Sequence, residues 1–171
     1  MHTRPGPDES LPYYRQYIDR VPDGDIVATL AAQLDAALAL LTPLTPERAA
    51  FRPTPEDWSI LQVIGHLTDG ERVFSHRALR FSRGDETPLP GFDQDLYVAN
   101  GGSDRRTLAS LLDELAAARR SSLALFASLD DAAWARRGVA SGDEISVLAL
   151  AFICAGHELH HIADFRARYG V

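Results

Sequence analysis

Near its C-terminal end the chain reads Gly156-His157-Glu158-Leu159-His160-His161, and this stretch carries the strongest chemical signal in the sequence. His157 and His161 stand four residues apart within an apolar, helix-like run. That spacing puts both imidazoles on one helix face, with Cβ atoms about 5–6 Å apart. Two nitrogens held this way can chelate a divalent metal, and the string fits H-E-x-x-H with Glu158 beside the first histidine. A catalytic zinc-type site takes three protein ligands and leaves a position open. The rest of the chain must supply the third.

Val63, His66, Gly70 and Val73 are spaced as an inward helical line, so His66 occupies a position where an apolar residue is otherwise expected. A second line, Val147, Leu150, Cys154, His157 and His161, turns from apolar to imidazole along its length. His66 and His157 each follow a glycine (Gly65 and Gly156), which costs about 1 kcal/mol inside a helix relative to alanine; helices that approach closely would explain both. The expected triad is His66, His157 and His161. The plainer alternatives are a hydrogen-bonded core histidine for His66 and a solvated helix face for the pair.

Glu158 is the candidate catalytic base for a metal-bound water, with a surface carboxylate as its alternative. Asp69, one turn from His66, is a candidate to orient that imidazole or else a surface charge. Cys154 reads first as a small buried hydrophobe and second as a fourth ligand. His160 falls off the seam and is expected to face outward or towards a neighbouring helix. His76 and His2 have no supporting pattern, and Trp58 reads as a core anchor.

The elements that must position these groups are helices. Residues 1–22 form a polar, proline-punctuated extension whose Tyr13, Tyr14, Tyr17 and Ile18 are expected to pack a short helical turn onto the body. The first predicted helix is capped by Asp23 or Asp25, repeats Ile26, Leu30, Leu34, Leu38 and Leu41 at helical spacing, and ends before Pro43 and Pro46. The second starts at Asp57 or Ser59 and runs to about residue 83. Residues 84–102, with two prolines and four glycines, predict a long loop, and such loops are often functional. Ser103 is the expected cap of the third helix, which runs to about residue 129. Residues 130–142 connect, with Trp134 on a short helical turn. The fourth helix spans about residues 146–169 and stops at Gly170. No run of alternating strand residues stands out. An all-α four-helix bundle follows, one domain over residues 1–171, with a long loop between helices two and three that permits a crossover.

Composition narrows the function. The chain has 171 residues, 46% of them hydrophobic, which argues for a sizeable core. A net charge of −7 tells against a nucleic-acid backbone as partner. No lysine is present, so Schiff-base chemistry is excluded. The single cysteine forbids an intramolecular disulfide and fits a cytoplasmic location. Residues 1–12 lack the apolar core of a signal peptide, and no stretch approaches the roughly 20 apolar residues of a membrane span.

Trp58-Ser59-Ile60, Gly65-His66-Leu67-Thr68-Asp69, Pro90-Gly91-Phe92-Asp93-Gln94-Asp95 and Gly156-His157-Glu158-Leu159-His160-His161, in this order and separation, resemble the DinB-like (DinB/YfiT) superfamily over about residues 26–169. The resemblance implies a four-helix bundle, often a homodimer, with a divalent metal such as zinc or nickel on His66, His157 and His161. It also implies that the activity, where there is one, is either thiol S-transfer with a low-molecular-weight thiol such as bacillithiol or mycothiol, or hydrolysis. The first expectation is therefore a metal-dependent thiol S-transferase acting on a small electrophile, with Phe92, Asp93 and Tyr97 of the long loop lining the mouth. The alternatives are a hydrolase with Glu158 as base and a non-enzymatic, structural or stress-related metal-binding bundle. A zinc protease fits poorly: the extended metzincin pattern needs Gly and His where the chain has Asp164 and Ala167, and no edge strand offers itself to a peptide.

Overall fold

The computed structural model describes residues 3–171, so His2 lies outside the described residues. Four long helices build the body: α2 (Ile26–Leu41), α4 (Ile60–Ser82), α6 (Leu108–Ala127) and α8 (Val147–Asp164). Short elements fill the connections. These are α1 (Arg15–Ile18), α3 (Pro46–Ala49), α5 (Gln94–Gly101), α7 (Asp131–Ala135) and the strands β1 (Arg137–Ala140) and β2 (Asp143–Ser146).

The helix starts follow side-chain chemistry. Asp25 accepts a hydrogen bond from the Ala28 amide. Ser59 and Gln62 form a reciprocal capping box at α4, each side chain taking the other's backbone N–H. Ser146 accepts from the Ala149 amide to open α8. The third helix departs from expectation. Ser103 opens only a 3-10 turn (Ser103–Arg105), and Thr107 is the cap, accepting from the Ser110 amide. The fourth helix loosens into a π-helical turn (Phe165–Tyr169) before Gly170.

Packing fixes the arrangement. Both α2 and α4 lie against α6 and α8, so α2 is diagonal to α4. One core cluster joins the first halves of α2 and α8 (Ile26, Leu30, Val147, Leu150) to the second halves of α4 and α6 (Phe81, Phe126). The other joins Leu41 and Phe165 to Ile60, Ile64 and Leu111. Hence α2 and α8 run one way and α4 and α6 the other. With neighbouring helices parallel, the chain must travel back along α4, about 35 Å at 1.5 Å per residue, before α6 begins. The long connection exists for that reason. It is not a plain loop, because Asp93 caps the eight-residue α5 within it.

The connector before α8 also holds more than expected. Besides α7, with a buried Trp134, it forms an antiparallel hairpin with register Arg137↔Ser146. Its turn, Ser141-Gly142, has φ of 58° and 92°. Positive φ at both positions suits a two-residue hairpin turn. Strands of four residues are too short to show an alternating pattern. Leu89 of the crossover pairs with this hairpin (Leu89 N–H to Val139 O, 2.9 Å). Among the described residues, no helix is long and apolar enough to cross a membrane.

Candidate metal centre

The three expected histidines meet. His66 on α4 and His157 on α8 have their Nε2 atoms 2.9 Å apart, and His161 Nε2 lies 3.2 Å from His157 Nε2. The donor atoms of all three fall within 4.8 Å of one another. Ligands 2.0–2.1 Å from a tetrahedral ion stand about 3.3–3.4 Å apart, so the cluster already has close to the spacing that a shared cation requires. His66 and His157 are buried and His161 is half-buried.

Burial also sets their protonation. It holds the His66 pKa down at about 4 and that of His161 at about 3, in each case helped by neighbouring histidines. The His157 pKa is pushed well below the ordinary value by burial, then by His161 and His66. All three imidazoles are therefore neutral at pH 7, the form that ligates a metal. Nitrogen donors of this kind suit zinc, nickel, copper or iron.

The glycines beside the histidines mark close approaches. A Cβ on Gly156 would stand 2.0 Å from the Tyr17 carbonyl oxygen, so glycine lets α1 reach α8. A Cβ on Gly65 would meet Ser103 Oγ at 2.2 Å. Trp58 does more than anchor the core: its ring packs on His66 with centroids 4.9 Å apart. Tyr17 sets its ring edge-to-face on His157 at 5.3 Å and on His160 at 5.5 Å. The N-terminal turn is thus part of the wall of the site.

Glu158 is placed differently from the expectation of a free base. It is buried, and Arg119 Nη2–H donates to its Oε2 at 2.8 Å. Arg119 also gives two hydrogen bonds to Glu71, at 2.9 and 3.0 Å, and one to the Leu30 carbonyl at 3.0 Å. Burial raises the Glu158 pKa, with Arg119 pulling the other way. Sequence reasoning missed Arg119 and Glu71, yet both left a trace. Each interrupts an apolar seam at core spacing: Leu112, Leu115, Arg119, Ser122, Phe126 and Ile64, Leu67, Glu71, Phe74, Ala78.

The remaining candidates sort clearly. Asp69 pairs with Arg72 (3.7 Å), and among the described residues no bond from it to His66 is found. Cys154 is buried outside the donor cluster, and burial pushes its thiol pKa well up, as suits a small hydrophobe. His160 faces Tyr17 and forms, with His161 and Asp164, a second group of neighbouring donors.

Two cavities reach the cluster. One of about 200 Å³ touches His66 and His157 and is lined by Tyr13, Tyr14, Tyr17, Phe74, Phe92 and Gln94. The other, about 240 Å³, touches His161 and is lined by Glu56, Asp57, Trp58, Asp164 and Arg168 among others. Of the loop residues expected at the mouth, Phe92 is there. Asp93 instead caps α5, and Tyr97 lines a separate cavity with Arg77.

Comparison with known proteins agrees with this fold. Among curated proteins none matches the chain. Among solved structures, YfiT from Bacillus subtilis, described as a probable metal-dependent hydrolase with an unusual four-helix bundle topology, superposes with a TM-score of 0.74 at 19% identity. That match covers 94% of this chain and 89% of the other. The family model of the DinB superfamily matches residues 29–165. With most of its length inside that match, this chain belongs to the DinB superfamily.

Proposed function

We propose that His66, His157 and His161 hold one divalent metal ion through Nε2, and that the protein is a metal-dependent thiol S-transferase. Its substrates would be a small electrophile and a low-molecular-weight thiol such as bacillithiol. The observation that carries the metal reading is the meeting of three neutral, largely buried imidazole nitrogens from two helices within 4.8 Å. An ion held there would supply Lewis acidity, which favours the thiolate form of a thiol or lowers the pKa of a water.

The chain itself does the rest. Burial keeps the three imidazoles unprotonated, and Trp58 packs on His66 and Phe74 on His157. Two differently lined cavities beside one cluster favour a reaction of two partners. Glu158, engaged by Arg119, is no spare base, which also favours a nucleophile that needs none.

A second reading, hydrolysis, draws on the description of YfiT. In that case Asp164, which lines the cavity at His161, is better placed than Glu158 to take a proton. Elemental analysis of purified protein decides the first point. Wild type should carry one equivalent of metal, lost in His66→Ala and in His161→Ala; metal retained in both would end the proposal. Loaded protein should then consume thiol with a panel of electrophiles. Ester cleavage without thiol, abolished by Asp164→Asn, would instead establish the hydrolase. Bound metal with neither activity would mark a structural bundle.

A further inference from the structure

No acid and no arginine lines the cavity at His66 and His157. Every side chain lining it is aromatic, one of those two histidines, or the amide of Gln94. In a chain with 24% charged residues this is a chemical statement about what enters. Five of the rings form a closed circuit of edge-to-face contacts: Tyr13 to Tyr14 (5.5 Å), Tyr14 to Phe74 (6.2 Å), Phe74 to His157 (6.1 Å), His157 to Tyr17 (5.3 Å) and Tyr17 to Tyr13 (5.9 Å). Tyr13, 58% exposed, stands at the rim.

From this we infer that the electrophile is an uncharged molecule about the size of one substituted six-membered ring, taken up in the tyrosine-lined cavity with its polar group towards the histidines. Size sets the first limit. An apolar cavity of about 150 Å³ holds benzene, so about 200 Å³ accommodates one ring with a short substituent. Charge sets the second. With the polar group of the ring towards the histidines, an anionic tail at its far end would meet no arginine in the lining and would lose its hydration without replacement. Aromatic cages do bind cations, but here no carboxylate lines the wall, and the donor cluster in it would carry a positive ion. Repulsion then disfavours a cationic substrate. All three tyrosines precede the residues matched by the family model.

The inference rests on the metal reading above, and its test is a binding experiment that needs no turnover. Calorimetric titration of metal-loaded protein would compare 4-methylacetophenone (neutral), 4-acetylbenzenesulfonate (anionic) and 4-(aminomethyl)acetophenone (cationic). The neutral ketone should bind about tenfold or more tighter than either charged analogue. Gln94→Arg, an exposed first-turn position of α5, should narrow or invert the preference against the sulfonate. A charged analogue binding as tightly as the neutral one, or no binding of the neutral one at millimolar concentration, overturns the inference. Absence of turnover with all three leaves only the transferase reading in question.

Discussion

Each histidine of the cluster is neutral because burial makes protonation costly, and this ties stability to pH. His66 titrates near 4 in the folded protein and near 6.5 when exposed. Between those values the unfolded chain binds a proton that the folded one refuses, so the metal-free protein loses stability as pH falls from about 6.5 to 4. By linkage the gap at His66 amounts to about 2–3 kcal/mol at pH 4.5 and to almost nothing at pH 7.5. Thermal melts in chelator should therefore show a marked fall in Tm at pH 4.5, and His66→Ala should make that fall smaller. An unchanged pH profile in the variant would contradict the assignment. Glu158 teaches a residue-scale lesson of another kind. Its place in the H-E-x-x-H string pointed to a base, whereas its side chain turns to Arg119, because a buried carboxylate needs a cation beside it.

Among the elements, α8 is set by what it touches on three sides. The contact of α1 at Gly156 is backbone against backbone, with no flexible atom to move aside. Gly156→Ala should therefore destabilise by about 2 kcal/mol or more and lift α1, with the tyrosine wall, off His157. At Gly65 the obstacle is the tip of a serine side chain, which can rotate. There the gain of about 1 kcal/mol from replacing a helical glycine works against the clash, so Gly65→Ala should change stability far less. Chemical denaturation of the two variants side by side checks the contrast, and equal losses would refute it. The crossover is also an element-scale device. Its hairpin contact at Leu89 and its helix α5 bring Phe92 and Gln94 to the cavity beside Tyr13.

Across the whole molecule, Arg119 is the common knot. One guanidinium takes the Leu30 carbonyl of α2, Glu71 of α4 and Glu158 of α8, and itself belongs to α6. Removing it strands two carboxylates in a core where each of the three side chains is at most 5% exposed. Arg119→Met should cost about 3–5 kcal/mol. The triple replacement Arg119→Met, Glu71→Leu, Glu158→Leu should recover most of that loss, as the buried charges disappear together. Equilibrium unfolding measures both, and a mild effect of the single substitution would show that the knot is dispensable.

Spacing along the chain was enough to place the four long helices, to put Asp25 and Ser59 among the candidate caps and to pick out the three histidines, because capping and helical period act within a few residues of one another. It did not reveal the hairpin or α5, whose stretches are too short for a period to emerge. Folding settled which helices are parallel, that α1 walls the site, that Glu158 belongs to Arg119, and that acids and an arginine line one cavity and neither lines the other. Those outcomes depend on contacts between residues such as Glu71 and Arg119 or Tyr17 and His157, far apart in the chain, and a local pattern carries no record of which distant partner it will meet.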